Sequence, residues 1–320
     1  MLGDGGSIQT QQFIQTSITS SGPLGDLLLG SPQGIAARVN APSIIGNIDS
    51  TSGPISGVIE TTSGDLGRTL TDASGKITGV TYVQANGGGL TGKIISRGNL
   101  VSSVRANGGL SGLIAAQGDI GAIQRKTDGS AVVGSDAANS LTRFGGVLVN
   151  GGMSGQIVAL GNMFGDISIN GGLTGRIAAH GRQGAGLHAQ RFGILGNVDI
   201  NGTIGATAAI VSLGVIGDDG VYVGTDSDTN GMHLTFSNGN GIIAAGGDVN
   251  FGKTNKINQP GLFENASGTN LAAVDAVFTQ LGQQLAFDSS IGGKTGLELI
   301  LSDLAALKVG TNGKLTGTTA

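Results

Sequence analysis

The chain of 320 residues contains no cysteine, no tryptophan and only five prolines. Without cysteine there is no disulfide, no thiolate zinc site and no cysteine nucleophile. The lack of thiols suits a protein that crosses an oxidising compartment before it folds, where a stray thiol could be trapped in a wrong bridge. Aromatic residues make up 3% of the chain, so the interior has to be assembled from Ile, Val, Leu and Ala, and the core is narrow. Charged residues account for 12%, about half the usual share, and the net charge is −4. No Lys/Arg stripe is available to neutralise phosphates, which excludes nucleic acid as a partner. No stretch approaches 18 uninterrupted apolar residues, which excludes a membrane-spanning helix. The amino end, Met1-Leu2-Gly3-Asp4-Gly5-Gly6, has no basic stretch followed by an apolar run and does not read as a signal peptide. An export signal is expected elsewhere, or the chain is a piece of something longer.

Glycine is abundant, at 62 residues, but not at every third position, so collagen is excluded. The 38% apolar fraction is too high for a disordered linker. Much of the glycine belongs to a returning phrase, Asn-Gly-Gly-Leu-Ser/Thr-Gly-x-Ile. It stands at Asn107-Gly108-Gly109-Leu110-Ser111-Gly112 and Asn170-Gly171-Gly172-Leu173-Thr174-Gly175, with variants starting at Asn86 and Asn150. The interval of about 21 residues falls in the range of a solenoid. A second phrase reads Gly165-Asp166-Ile167-Ser168-Ile169, Gly196-Asn197-Val198-Asp199-Ile200 and Gly247-Asp248-Val249-Asn250-Phe251. Ile114-Ala115-Ala116-Gln117-Gly118-Asp119-Ile120 recurs at Ile243, an interval of about six such units. Weaker copies at Gly46-Asn47-Ile48 and Ser52 to Ile59 extend the array over residues 40–255.

Within each unit the aliphatics alternate in groups of three to five and end at Gly, Asn or Asp, the pattern of short strands joined by tight turns. The fold expected is all-β: a single-stranded parallel β-helix solenoid, right-handed, with rungs of about 21 residues stacked about 4.8 Å apart. Leu110, Ile114, Ile120 and Ile123 are expected to face inward, in rows with Leu173 and Ile177. Corner glycines are expected at positive φ. Asn86, Asn107, Asn150, Asn170 and Asn201 are expected to stack and to hydrogen-bond between turns. Residues 1–39 form an N-terminal segment or cap. From 256 to 320 the spacing changes: Leu271, Val274, Phe278, Leu281 and Leu285, then Leu297, Ile300, Leu301, Leu304 and Leu307, mark two amphipathic helices. They are expected to form a small α-helical cap over the open strand edges. Arg125 to Arg143 and Arg182 to Arg191 break the rhythm and read as loops leaving one face, candidate contact surfaces.

Candidate chemistry is sparse. Asp226-Ser227-Asp228-Thr229-Asn230-Gly231 opens like a calcium loop, with Asp226, Asp228 and Asn230 as the candidate ligands, but Ser237 stands where a bidentate Glu would be needed. A plain polar turn reads the same way and is the favoured reading, so no cofactor is expected, with calcium the one alternative. Gly217-Asp218-Asp219 is similar to the paired aspartates of the polygalacturonase family, where one carboxylate supplies a proton and the other activates water. The Asn-Thr-Asp, Gly-His-Gly and Arg-Ile-Lys motifs of that family are absent in that order. Adjacent aspartates are also common in solvated turns. Arg176, Arg182 and Arg191 lie in one neighbourhood, as an arginine base of a calcium-dependent pectate lyase would, without an acidic cluster beside them. His180, His188 and His233 lack metal-ligand spacing. Thr91 and Thr174 share a repeat position with Ser111 and Ser154, a mixed row rather than the all-Thr face that ice binding would need.

The two repeated phrases over residues 40–255 resemble those of bacterial surface β-helix proteins, the class of autotransporter passengers and filamentous adhesins. The resemblance implies a cysteine-free, charge-poor, secreted stalk or adhesive surface at the bacterial cell surface. The carboxyl-terminal membrane barrel of autotransporters is missing from this chain. The function expected is therefore an adhesin-like structural solenoid that presents a rigid face and its loops to an extracellular carbohydrate or a surface protein. A polysaccharide lyase or glycoside hydrolase, carried by Asp218 and Asp219, is the alternative.

Overall fold

The computed structural model describes residues 5–124, 143–181, 193–205 and 208–212, with short strands at Met232–Thr235, Ile242–Ala245, Phe263–Asn265, Ser290–Ile291, Lys294–Thr295, Lys308–Val309 and Leu315–Thr316. Among the described residues every regular element is a strand. Two long sheets carry the fold, one of nine strands from Gly6–Thr10 to Met232–Thr235, the other of ten from Ile18–Thr19 to Phe263–Asn265. The chain crosses from one sheet to the other and back, and each strand pairs in parallel with its counterpart in the following turn. Ser103–Asn107 lies between Tyr82–Ala85 and Gly146–Asn150 in the first sheet. Leu113–Ala116 lies between Lys93–Ser96 and Gln156–Ala159 in the second. Strands stacked in sequence order and all parallel are compatible with a β-solenoid.

Two columns of single-residue bridges run between the sheets. One passes through Leu90, Leu110, Met153, Leu173 and Ile204; the other through Leu66, Leu100, Ile120, Met163 and Ile194. With the inward rows of the sheets, Val83–Val104–Val147–Ile167 and Ile94–Ile114–Ile157–Ile177, they close one continuous core. Leu110 and Leu173 thus belong to a single column, one turn of chain apart from Met153 on either side. Ile123 leaves the column after Ile120 and pairs instead with Arg143. Each fully buried Leu or Ile removes enough apolar surface to contribute about 1.5–3 kcal/mol, and a parallel stack repeats that gain turn after turn. A further inward row of the second sheet is small: Ala41, Thr61, Ser96, Ala116, Ala159 and Ala179. Its hydroxyls are satisfied by the adjoining corner, Thr61 Oγ1 donating to Gly64 O at 2.6 Å and Ser96 Oγ to Asn99 O at 2.7 Å.

The glycines divide into two kinds. At the Asn-Gly corner Gly87, Gly88, Gly89, Gly108 and Gly109 take positive φ, from 58° to 121°, which side chains other than glycine rarely adopt. The glycine entering the second sheet is different and corrects the expectation that positive φ accounts for the repeat. Gly57, Gly92, Gly112, Gly155 and Gly175 have no positive φ, but a Cβ on each would press into the backbone of the turn beneath, for Gly112 the carbonyl oxygen of Gly92. Close backbone approach selects glycine there.

Turn length also departs from the expectation in places. Asn86 and Asn107 are 21 residues apart and Asn150 and Asn170 are 20 apart, but Asn47 and Tyr82, in adjacent turns, are separated by 35. The excess is an antiparallel hairpin, Thr69–Thr71 with Ile77–Val80, that the repeat phrases do not reveal. The interval from Ile114 to Ile243 holds four pairings rather than six, through Ile157, Ile177 and Ile210, because insertions lengthen individual turns. Ala122–Ile123 and Arg143–Phe144 form the antiparallel base of the segment between them. Paired strands already stand at Gly6–Thr10 and Leu24–Leu29, within the stretch expected as an N-terminal segment. Leu271 to Leu285 and Leu297 to Leu307 lie outside the described residues. Past residue 255 those residues comprise Phe263–Asn265, which extends the second sheet, and two short antiparallel pairs.

Candidate functional surfaces

The corner that follows the first sheet carries a polar ladder. Asn107 Nδ2 donates to Asn86 Oδ1, Asn150 Nδ2 to Asn107 Oδ1 at 2.6 Å, Asn170 Nδ2 to Asn150 Oδ1 at 2.9 Å and Asn201 Nδ2 to Asn170 Oδ1 at 3.2 Å. Each interior amide gives one hydrogen and accepts another, so the side chains hold one another in a single rotamer. The five asparagines expected to stack do so. A few residues on, Ser56, Thr91, Ser111, Ser154 and Thr174 form an exposed column, each directly after a core bridge residue. Between the two columns Gly152, Gly172, Ser154, Thr174 and Thr203 border a shallow open depression floored by Met153.

The opposite corners carry ladders in which Asp and Asn alternate. Asp65 Oδ1 accepts from Asn99 N at 2.6 Å and from Asn99 Nδ2 at 3.2 Å; Asn99 Oδ1 accepts from Asp119 N at 2.9 Å; Asp119 Oδ1 accepts from Asn162 N at 2.7 Å. Asp26 and Asn47 repeat the arrangement at 2.7 Å, and Asp166 and Asn197 at 2.8 Å. This geometry explains the Gly-Asp/Asn phrase, for which spacing alone supplied no reason. In each ladder a carboxylate faces an amide of the next turn rather than a second carboxylate. Like charges stacked about 4.8 Å apart would repel.

The two sheets differ on their outer faces. On the first, the outward row in register is Leu28, Asp49, Gln84, Arg105, Leu148, Ser168 and Asp199, polar at five of seven positions and half-buried or exposed throughout. Burial raises the Asp49 carboxyl above its ordinary value, opposed by a hydrogen bond from Tyr82, whose own phenol is pushed up by burial and by the Asp49 charge. On the second, one outward row runs Glu60, Ile95, Ala115, Val158 and Ala178, all buried. Glu60 binds Arg38 and, at 2.8 Å, Arg97, a bridge in which only Arg38 reaches solvent to any extent. Beside this row burial lowers the Lys93 ammonium, helped by the nearby Arg38 charge, and lowers the Arg176 guanidinium.

The insertions meet at one edge. The hairpin Thr69–Val80 leaves the stack directly after Leu66, and the Ala122–Phe144 insertion leaves after Ile120, which occupies the same column as Leu66 two turns later. The hairpin spans the intervening turn: Ile77 N donates to Gln124 Oε1 at 2.5 Å. Arg143, at the base of the second insertion, stands 3.7 Å from Asp166. Asp218, Asp219, Asp226, Asp228, Asn230, His188, Arg182 and Arg191 lie outside the described residues. His180 sits at the corner after the second sheet with Nδ1 2.9 Å from Gly181 O, and Asp199 pairs in register with Ser168 and His233. Among the described residues no three His, Asp or Glu side chains converge as metal ligands would. The chain matches no protein-family model, no curated protein and no solved structure.

Proposed function

We propose that this chain is an adhesin-like structural β-solenoid of the bacterial cell exterior, right-handed, with rungs of about 21 residues and a helical carboxyl-terminal segment. It acts by presenting a rigid polar edge and the loops beside it to an extracellular carbohydrate or surface protein. The observation that carries this reading is the asparagine ladder in register with the exposed Ser/Thr column. Donors and acceptors there repeat about every 4.8 Å along the stack. The asparagine amides already hold one another in place, so a repetitive partner can be bound there with little ordering cost. A composition free of cysteine and low in charge supports the external setting.

A glycan array probed with the purified chain, with and without calcium, tests the proposal. Binding to a repetitive polysaccharide, weakened by S111K and S154K on the exposed column and unchanged by chelation, is the expected result. Shortening of the polysaccharide during the assay, abolished by D218N or D219N, would instead establish the hydrolase alternative. Binding that disappears on chelation would move the site to the Asp226–Asn230 loop.

A further inference from the structure

All five asparagines of the ladder are followed by glycine: Asn86-Gly87, Asn107-Gly108, Asn150-Gly151, Asn170-Gly171 and Asn201-Gly202. An Asn-Gly pair loses its side-chain amide more readily than other pairs, because glycine has no side chain to shield its nitrogen and bends freely. In that reaction the glycine nitrogen attacks Asn Cγ. The N–Cγ bond forms as the Cγ–Nδ2 bond breaks, and the glycine N–H proton departs with Nδ2 as ammonia. Water then opens the cyclic imide at either carbonyl and leaves an aspartyl or an isoaspartyl link. Ring closure requires the carboxamide to fold back onto its own main chain, and a carboxamide held from the turns on both sides must first break two hydrogen bonds. Asn107, Asn150 and Asn170 each give and accept one bond in the ladder; Asn86 accepts from Asn107 and donates Nδ2 to Thr51 O at 3.2 Å. The nitrogen of Gly108 is in addition committed to Asn150 O at 3.0 Å.

The two ends of the column differ. At Asn86 the last donor is taken up by the main chain of the turn before it. Beyond Asn201 the residue in register is Thr235, and among the described residues the Asn201 carboxamide is tied through Nδ2 alone, to Asn170 at 3.2 Å, the longest contact of the ladder. We propose that the ladder is a column of deamidation sites kept unreactive by their mutual hydrogen bonds, with Asn201 the position that converts first. Exposure does not make this distinction, since Asn150 and Asn170 are exposed as Asn201 is. The product carboxylate has no hydrogen to give to Asn170 Oδ1, so conversion shortens the ladder by one turn. The isoaspartyl form also adds a carbon to the main chain, at a corner where a Cβ on Gly202 would already collide with the backbone of Gly171.

The test uses the full-length protein, incubated folded and, in parallel, denatured in guanidinium. Peptide mapping with fragment sequencing separates the Asn, Asp and isoaspartyl forms of each pair, and also distinguishes the Asn-Gly pairs at Asn230, Asn238, Asn240 and Asn312, which lie outside the described residues. Dividing each folded rate by the denatured rate of the same pair removes the influence of the preceding residue. By this ratio Asn201 is expected to convert about fivefold faster than Asn107, Asn150 or Asn170, the worth of one amide hydrogen bond. N150A deprives Asn107 Oδ1 of its donor and Asn170 Nδ2 of its acceptor. With circular dichroism confirming the parent spectrum, it should raise both of those rates about fivefold and leave Asn86 unchanged. T235N, which adds an amide in register beyond Asn201, should slow Asn201 toward the interior rate. Equal ratios for Asn150, Asn170 and Asn201 in the parent, a folded chain in which none of the three converts included, overturn the proposal. So do unchanged rates at Asn107 and Asn170 in N150A, or an unchanged rate at Asn201 in T235N.

Discussion

The two long sheets share one interior and present opposite surfaces. Inside, Val104 and Ala106 on the first sheet face the same core as Ile114 and Ala116 on the second, and all four are buried. Outside, Arg105 and Ser168 meet solvent, whereas Ala115 and Val158 do not. The primary structure carries the same contrast. Ser103–Asn107, Asp166–Ile169 and Val198–Asn201 alternate polar with apolar, with Gly146–Asn150 and its Val-Leu-Val run the exception between them, while Leu113–Ala116 is apolar throughout and the strands Lys93–Ser96, Gln156–Ala159 and Arg176–Ala179 have two or three consecutive apolar residues after a polar start. Alternation marks a strand with one wet face, and a continuous run marks a strand covered on both. One flank of the array is therefore built to meet the surroundings and the other to be packed against.

The comparison is broken most severely by placing a charge on the covered flank. Val158→Asp should lower stability by about 3–5 kcal/mol, since the carboxylate would be buried without a partner. Arg105→Asp, at an exposed outward position of the first sheet in register with the uncharged Gln84 and Leu148, should change it by less than about 0.5 kcal/mol. Denaturant midpoints of the two variants decide the matter, and equal shifts would erase the distinction between the flanks. Next in size is Glu60→Gln, which removes the buried carboxylate charge that Arg38 and Arg97 share. A loss of about 2–3 kcal/mol is expected. It should persist at 1 M salt, where exposed pairs are screened within about 3 Å; a loss that vanishes with salt would mean that the cluster is open to water. On the open flank, Asn107→Ala removes two side-chain hydrogen bonds of the ladder and should cost about 1–2 kcal/mol. Slower or unchanged exchange of the Asn86 and Asn150 side-chain amides in that variant would argue against a cooperative ladder.

The smallest effect should come from Asp49→Asn. The folded state raises this carboxyl, so it disfavours the ionised form, and one oxygen is buried without a hydrogen-bond partner. The sign follows from linkage: the penalty is absent below the ordinary value of 3.8, where the group is protonated in both states, and grows as the pH rises through the raised folded value. Asp49→Asn should therefore raise the melting temperature slightly at neutral pH and leave it unchanged at pH 3. A gain of the same size at both pH values would rule out ionisation as the cause.

Much of the architecture is legible in the residues because the stack repeats its own solutions. The phrase Asn-Gly-Gly-Leu-Ser/Thr-Gly marks a corner, a bridge and a strand entry in turn, so Leu110 and Leu173 and the five asparagines can be placed without coordinates. The hairpin Thr69–Val80 escapes because its residues, among them Gly75-Lys76-Ile77-Thr78-Gly79-Val80, imitate a strand entry of the array itself. The glycines of the Gly57–Gly175 column look like positive-φ corners because a sequence does not say how near another backbone lies. The covered flank was signalled by the apolar runs at Ile94–Ile95 and Leu113–Ala116, which periodicity alone counts as ordinary short strands. The acidic candidates had no such support, since Asp218 and Asp219 stand outside any repeated phrase and borrow no meaning from a neighbouring turn.

The alternation of aspartate with asparagine on the corners limits how such an array can change its length. Removing the single turn that contains Asn99 would set Asp65 directly against Asp119, and inserting a copy of the Asp119 turn would stack two carboxylates. Excising or duplicating two neighbouring turns leaves the order of charges intact. A molecule built this way is free to lengthen or shorten by even steps, and an odd step demands a compensating amide.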